Sequence, residues 1–238
     1  MISDGVLSKA EQLRVERTFD KLSKHDTSRW ALTGGFATEL HIRRLGGEPA
    51  LRSLHDVDFI VSSFDCIPES LGRDFLIRHV HPPDPPGKTL LQCVDSETGV
   101  RVDVFRTQAS VMERVSSISP QLQMISHQDL TARAGRLTWD MTGGKPVAPK
   151  HVRDFLRLLE VADFQEVEAV WKQHKNAQSP ETFAMAAREV NELIASCSNL
   201  LVSPPYSQDV DAVCNRCERV EALRLADARL IVAILGYC

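Results

Sequence analysis

Hydrophobic and polar positions recur with two different periods along this chain, and the period changes near residue 110. Leu7, Ala10, Leu13, Val15, Phe19 and Leu22 follow roughly helical spacing behind the capping-box pattern Ser8-Lys9-Ala10-Glu11, which predicts a helix over residues 8–24. Trp30-Ala31-Leu32 is a short apolar run read as a strand, closed by Thr33-Gly34-Gly35. Phe36 to Leu45 reads as a helix stopped by Gly46-Gly47. Leu54-His55-Asp56-Val57-Asp58-Phe59-Ile60-Val61-Ser62 alternates as a strand, and Phe75–Val80 is another. After the proline-rich turn at 81–87, Thr89–Val94 and Val100–Phe105 read as two strands flanking the turn 95–99.

Beyond residue 110 strand-like alternation is expected to disappear. Ser126 is placed to cap a helix running to about Trp139, and Thr142-Gly143-Gly144-Lys145-Pro146 reads as a loop. Val152, Phe155, Leu156 and Leu159 form an i, i+3, i+4, i+7 stripe. Ser179-Pro180 has the form of a helix start, Ser203–Tyr206 of a loop, and residues 209–235 of a final long helix. The pattern thus predicts an α/β (α+β) domain with a mixed sheet over 1–125 and an all-helical domain over 126–238.

Composition narrows the setting. Of 238 residues, 43% are hydrophobic and 25% charged, enough apolar mass for a packed core and against disorder. A net charge of −4 gives no basic field for sequence-independent nucleic-acid binding, although a local basic patch remains compatible with it. No apolar run approaches the ~20 residues of a membrane span. The first residues lack the charged start and apolar core of a secretory signal. Cys66, Cys93, Cys197, Cys214, Cys217 and Cys238 are scattered in a chain too large to need staples, which suits a reduced, cytoplasmic protein. These features exclude a membrane protein, a disulfide mini-protein and a coiled coil.

Candidate chemistry concentrates in the first half. On a strand over 54–62, Asp56 and Asp58 project to one side and Val57, Phe59 and Val61 to the other. Two neighbouring carboxylates repel, and a hard divalent cation such as Mg²⁺ relieves that repulsion. Asp103 lies opposite the Val100, Val102, Val104 face of its own strand. If the two strands are neighbours, three carboxylates gather near one spot, a set suited to two metal ions in phosphoryl or nucleotidyl transfer. Thr33-Gly34-Gly35 joins a strand to a helix, where glycines admit a phosphate close to the backbone and the helix N-terminus offers free N–H groups.

Gly34-Gly35, Asp56-Val57-Asp58 and Asp103 together resemble the nucleotidyltransferase superfamily that includes DNA polymerase beta, over roughly residues 28–106. The likeness is nearest to the minimal, toxin-like bacterial branch of AbiEii-type nucleotidyltransferases. Gly34-Gly35-Phe36-Ala37 matches that branch's Gly-Gly-x-Ala. Arg52-Ser53-Leu54-His55-Asp56-Val57-Asp58 matches its Arg-x-Thr-x-Asp-h-Asp element with Leu54 in place of threonine, and Lys150 and Asp154 match a later Lys-x-x-x-Asp. The superfamily more often has Gly-Ser at the turn; Thr33 is the nearby hydroxyl here.

The resemblance implies that Asp56 and Asp58 bind the metals holding a nucleoside triphosphate, ATP among the candidates, and that Asp103 shares the catalytic metal and activates an acceptor hydroxyl. It further implies that Arg52 steadies the phosphates and that Lys150 reaches them from the helical half. Under this reading the helical half closes one side of the cleft and selects the acceptor, be it a small molecule, a tRNA or a protein. Two other classes stand beside it: a catalytically weak partner-binding component of a toxin–antitoxin pair, and a metal-dependent phosphohydrolase using the same carboxylates. The enzyme reading expects Asp56, Asp58 and Asp103 to converge near Gly34-Gly35.

Several other features carry plainer readings. Gly87-Lys88-Thr89 is no P-loop, because Pro82 stands where that motif needs glycine. Cys214-Asn215-Arg216-Cys217 lacks a second ligand pair for zinc. His55 faces away from Asp56 and reads as structural, and Arg43 and Arg44 as a solvated helix face. Lys150 and Asp154 are compatible with a solvated i, i+4 ion pair as well as with a site role.

Overall fold

The computed structural model describes residues 5–50, 54, 56–81 and 90–197 together with the strand Leu223–Arg224; for residues 77–81, 90 and 223–224 only the backbone is described. The chain divides into two compact units, Met1–Leu40 with Pro49–Ile125 and Asp211–Cys238 in the first, and His41–Glu48 with Ser126–Val210 in the second. Among the described residues no helix is long and apolar enough to cross a membrane.

The first unit is built on an eight-stranded mixed sheet. Its strands are β1 (Ala31–Thr33), β2 (Asp56–Val61), β3 (Phe75–His81), β4 (Leu90–Asp95), β5 (Arg101–Arg106), β6 (Ser116–Ser119), β7 (Leu122–Met124) and β8 (Leu223–Arg224). They lie in the order β6-β7-β1-β2-β5-β4-β3-β8. β1 runs parallel to β7 and β2 parallel to β5, and the other neighbours are antiparallel. Strand alternation does the expected sorting: Val57, Phe59, Val61, Val100, Val102 and Val104 are all buried. Each such side chain contributes roughly 2 kcal/mol.

Helix α1 (Lys9–Leu22) begins at Ser8, whose hydroxyl accepts from the Glu11 N–H at 3.4 Å. Its phase differs from the expected stripe. Val15, Thr18 and Leu22 are buried, whereas Ala10 is exposed and Leu13 is 54% exposed. Polar groups on the inner face account for the difference: Arg14 Nε donates to the Thr98 carbonyl at 3.1 Å, and Thr18 is drawn to Asp95. Phe19 packs its ring 5.9 Å from Phe36 and 6.3 Å from Phe59, with Trp30 5.5 Å from Phe59. Phe36 belongs to α2 (Gly34–Arg44). That helix ends in a Schellman motif: Gly46 has φ +83°, the Gly47 N–H donates to the Ile42 carbonyl at 2.8 Å and the Gly46 N–H to Arg43 at 3.2 Å.

Two expectations are corrected here. Alternation does not end at 110, because β6 and β7 form a hairpin and β7 joins β1. The polar, largely exposed Ser116–Ser119 hid this edge strand, while Leu122 and Met124 are buried around half-buried Gln123. The predicted helix over 209–235 lies outside the described residues except at Leu223–Arg224, which is a strand paired with Leu76 and Ile77. The proline-rich turn beyond His81, the Ser203–Tyr206 loop, Gly87-Lys88-Thr89 and the Cys214/Cys217 pair also lie outside them.

The second unit is helical: α4 (His127–Trp139), α5 (Pro149–Val161), α6 (Phe164–His174) and α7 (Phe183–Ser196) follow the short α3 (Ala109–Met112) of the first unit. Phe183 lies at its centre, 5.6 Å from the Trp171 ring and 6.1 Å from Phe155. α6 was not foreseen, although Asp163 caps it through Gln165 and Glu166. Helix α7 is capped by Thr182 rather than opened by Ser179, whose hydroxyl instead binds Asn176 at 3.0 Å. Buried Asp129 ties two helix ends together, bonding Ser126 at 2.5 Å and His174 at 2.8 Å. A carboxylate at a helix start complements the helix dipole there.

Asp95 and Lys21 form a buried ion pair in the first unit. Asp95 accepts from Lys21 at 2.6 Å, from Thr18 at 2.9 Å and from the Glu97 N–H at 3.0 Å. Burial pushes the Asp95 carboxyl up, but Lys21, the Glu97 amide and the two threonine hydroxyls outweigh it and hold it below its ordinary value. Burial pulls Lys21 down, and Asp95 and Glu97 hold it above its ordinary value. Asp95 therefore contributes stability that is present above its unfolded pKa and is lost as pH falls through the folded value. The Lys21 contribution is complete below its unfolded pKa and is lost as pH rises through the folded one. Asp95→Asn is expected to cost about 3 kcal/mol at neutral pH, measured by urea denaturation, and to flatten the acid limb of the stability profile.

Candidate active site

The site grows from one feature of the sheet, the parallel pairing of β2 with β5. In that register Asp56 stands opposite Arg101 and Asp58 opposite Asp103. Because each strand alternates, all four side chains occupy one face, and Val57 and Val102 occupy the other. Asp103 is 5% exposed, while Asp56 and Asp58 are half-buried. Three acids and one base thus stand together on one face of the two strands.

Arg101 sits among the acids. Its Nη2 pairs with Asp56 Oδ2, and its Nε lies 3.2 Å from Asp103 Oδ1. Burial lowers the guanidinium's pKa, but Asp103, Asp56 and Asp58 outweigh burial and raise it, so the group stays charged. Sequence reasoning missed Arg101, although the signal was available: two residues before Asp103 on a strand means the same face.

The turn at the end of β1 closes onto the same patch. Thr33, buried, pairs in register with Asp58. Gly34 has φ +70°, and a Cβ built there would meet Asp58 Cγ at 2.7 Å and Asp58 Cβ at 2.9 Å. Glycine is therefore required twice over, for its backbone conformation and for the close approach of Asp58. Gly35 follows in the first turn of α2, whose leading N–H groups have no partners within the helix. On β4, Gln92 stands opposite Asp103 and shares its face. The neighbouring Cys93 is buried, and burial together with the Asp103 charge pushes its thiol up, leaving it neutral and unreactive.

The structure thus brings Thr33, Gly34, Asp56, Asp58 and Asp103 into one region of the first unit. Among the described residues, no three His, Cys, Asp or Glu side chains are grouped as for a single metal ion. The carboxylates flank a cation instead, since Asp56 and Asp103 both hold the Arg101 guanidinium. The donor set is of the chemical kind Mg²⁺ takes, since carboxylates are hard oxygen donors, and a cation, Arg101, already stands among them. Arg52 and His55 lie outside the described residues. Lys150 is exposed on α5 of the second unit, and Asp154 on the same helix is 8% exposed. Arg43 and Arg44 are exposed, as a solvated helix face requires.

No protein-family model matches the chain, and no curated protein does. Among solved structures the chain is similar to a lincosamide antibiotic adenylyltransferase, LnuA, determined with lincomycin bound. The similarity has a TM-score of 0.38 at 14% identity, covering 66% of this chain and 99% of that one. A likeness of that degree carries no functional argument, and the site stands on its own residues.

Gly34→Ala is expected to lower stability by about 2 kcal/mol or more, read from the urea midpoint, because it adds left-handed backbone strain to a collision with Asp58.

Proposed function

We propose that the protein is a Mg²⁺-dependent nucleotidyltransferase that moves a nucleoside monophosphate from a nucleoside triphosphate, such as ATP, to an acceptor hydroxyl. The observation that carries the reading is the β2–β5 register, which sets Asp58 beside Asp103 with Asp56 on the same face and the Gly34 turn against Asp58. The superfamily resemblance of Gly34-Gly35, Asp56-Val57-Asp58 and Asp103 points the same way.

In this reading Asp56, Asp58 and Asp103 hold the Mg²⁺, two ions in the full complement, which neutralise the triphosphate and the charge that develops during transfer. The Thr33-Gly34-Gly35 turn supplies backbone N–H groups to phosphate oxygens, a role that needs a bare Gly34 because no side chain fits between turn and carboxylate. Arg52 and Lys150 add positive charge along the phosphates. Asp103, the most buried of the three acids, accepts the proton of the acceptor hydroxyl. The hydroxyl oxygen then attacks the α-phosphorus, a new P–O bond forms, and pyrophosphate leaves with the electrons of the broken bond. Residues 1–125 carry this chemistry, and the helices α4 to α7 that follow select the acceptor. A cytoplasmic setting supplies both nucleotide and Mg²⁺ and suits the scattered cysteines.

The test supplies α-labelled nucleoside triphosphates and Mg²⁺ with a cell extract and follows the label. Transfer of label to an acceptor with release of pyrophosphate is expected, and Asp56→Asn or Asp58→Asn should reduce it by at least about a hundredfold. Release of inorganic phosphate without pyrophosphate would make the protein a phosphohydrolase. Absence of nucleotide binding at millimolar concentration would sink both enzymatic readings and leave a partner-binding protein of the toxin–antitoxin kind.

A further inference from the structure

We infer that Arg101 is a resident counter-ion of the carboxylate cluster, one that divalent metal must displace, so that the resting site is latched and metal enters together with a polyphosphate. The inference rests on the nucleotidyltransferase reading of these carboxylates and adds a mode of regulation to it.

The argument is one of shared atoms. Arg101 engages Asp56 through Oδ2 and reaches Asp103 through Oδ1, oxygens that a bound cation also needs. A guanidinium offers five N–H donors and no lone pair, so it cannot join a metal's coordination sphere. It can only compete, because two cations held against the same carboxylates repel strongly. The latch is not a weak surface contact: the Arg101 side chain is 24% exposed and that of Asp103 7%.

Metal alone must therefore break both contacts and leave the guanidinium in a partly buried place without its partners. A polyphosphate removes that penalty, since its oxygens accept the planar fork that the carboxylates release. Metal and polyphosphate then favour each other's binding, and by linkage the effect is reciprocal. The register places this device in the chain: Arg101 is opposite Asp56 and two residues from Asp103, so no rearrangement of the sheet is needed to close it.

The test is calorimetric titration of the full chain with Mn²⁺, alone and with a nucleoside triphosphate analogue that cannot be cleaved between its α- and β-phosphates. For the wild-type protein the analogue should tighten Mn²⁺ binding. Arg101→Gln should tighten binding of Mn²⁺ alone by about tenfold, and the extra gain from the analogue should shrink. Arg101→Lys keeps a cation but not the fork, and should fall between the two.

A folded Arg101→Gln protein, checked by circular dichroism, that binds Mn²⁺ no better than wild type would overturn the latch. If that variant does not fold, wild-type Mn²⁺ affinity indifferent to the analogue would overturn it equally. The two readings separate cleanly. Intact metal–analogue binding without the Arg101→Gln gain removes only the latch. Absence of analogue binding and of label transfer in the wild type removes the nucleotidyltransferase reading, while a tighter Mn²⁺ affinity in Arg101→Gln would still stand for the latch as a metal gate.

Discussion

Parallel pairing of β2 with β5 forces like charges together, and much of the first unit is organised around that constraint. Asp56, Asp58 and Asp103 share a face because the register leaves them no other. A sheet holds such a patch only if its opposite face is strongly apolar and the charges find a counter-ion. Both conditions are met. The reverse face carries Val57, Phe59, Val102 and Val104, with Phe59 lying against the rings of Phe19 and Trp30. Arg101 supplies the counter-ion from within the same pair of strands.

The buried pair Lys21–Asp95 shows what the unit does with charge where no chemistry is at stake. Asp95 receives an ammonium, a hydroxyl and an amide within 3.0 Å. Its surroundings leave nothing for an outside cation to supply. The β2–β5 patch is different in kind, because there three carboxylates stand on one face around Arg101. Buried charge ringed by partners serves stability, whereas clustered like charges are a common mark of functional sites.

The second unit solves a simpler problem. Phe155, Trp171 and Phe183 form its centre, and side chains close the starts of three of its helices, Ser126 for α4, Asp163 for α6 and Thr182 for α7. These caps and the apolar stripe of α5 are local features, readable from spacing. α6 escaped notice because its buried residues, Val167, Val170 and Trp171, are few and stand among polar neighbours.

The local periodicities in the sequence were enough to place α1, β1, α2, β2, β3, β4, β5 and α4, and to mark Gly34, Asp56, Asp58 and Asp103. Each of those rests on near neighbours in the chain: a cap, an i+2 alternation, a glycine between strand and helix. What local spacing could not supply is pairing. The adjacency of β2 and β5, the insertion of β7 beside β1, the strand at Leu223–Arg224 and the meeting of Arg101 with Asp56 join segments far apart in sequence. Strand alternation says which face a residue takes, but only backbone hydrogen bonds between distant strands decide which residues share it. The acids could therefore be named from the chain, whereas the arginine among them was chosen by the register of the sheet.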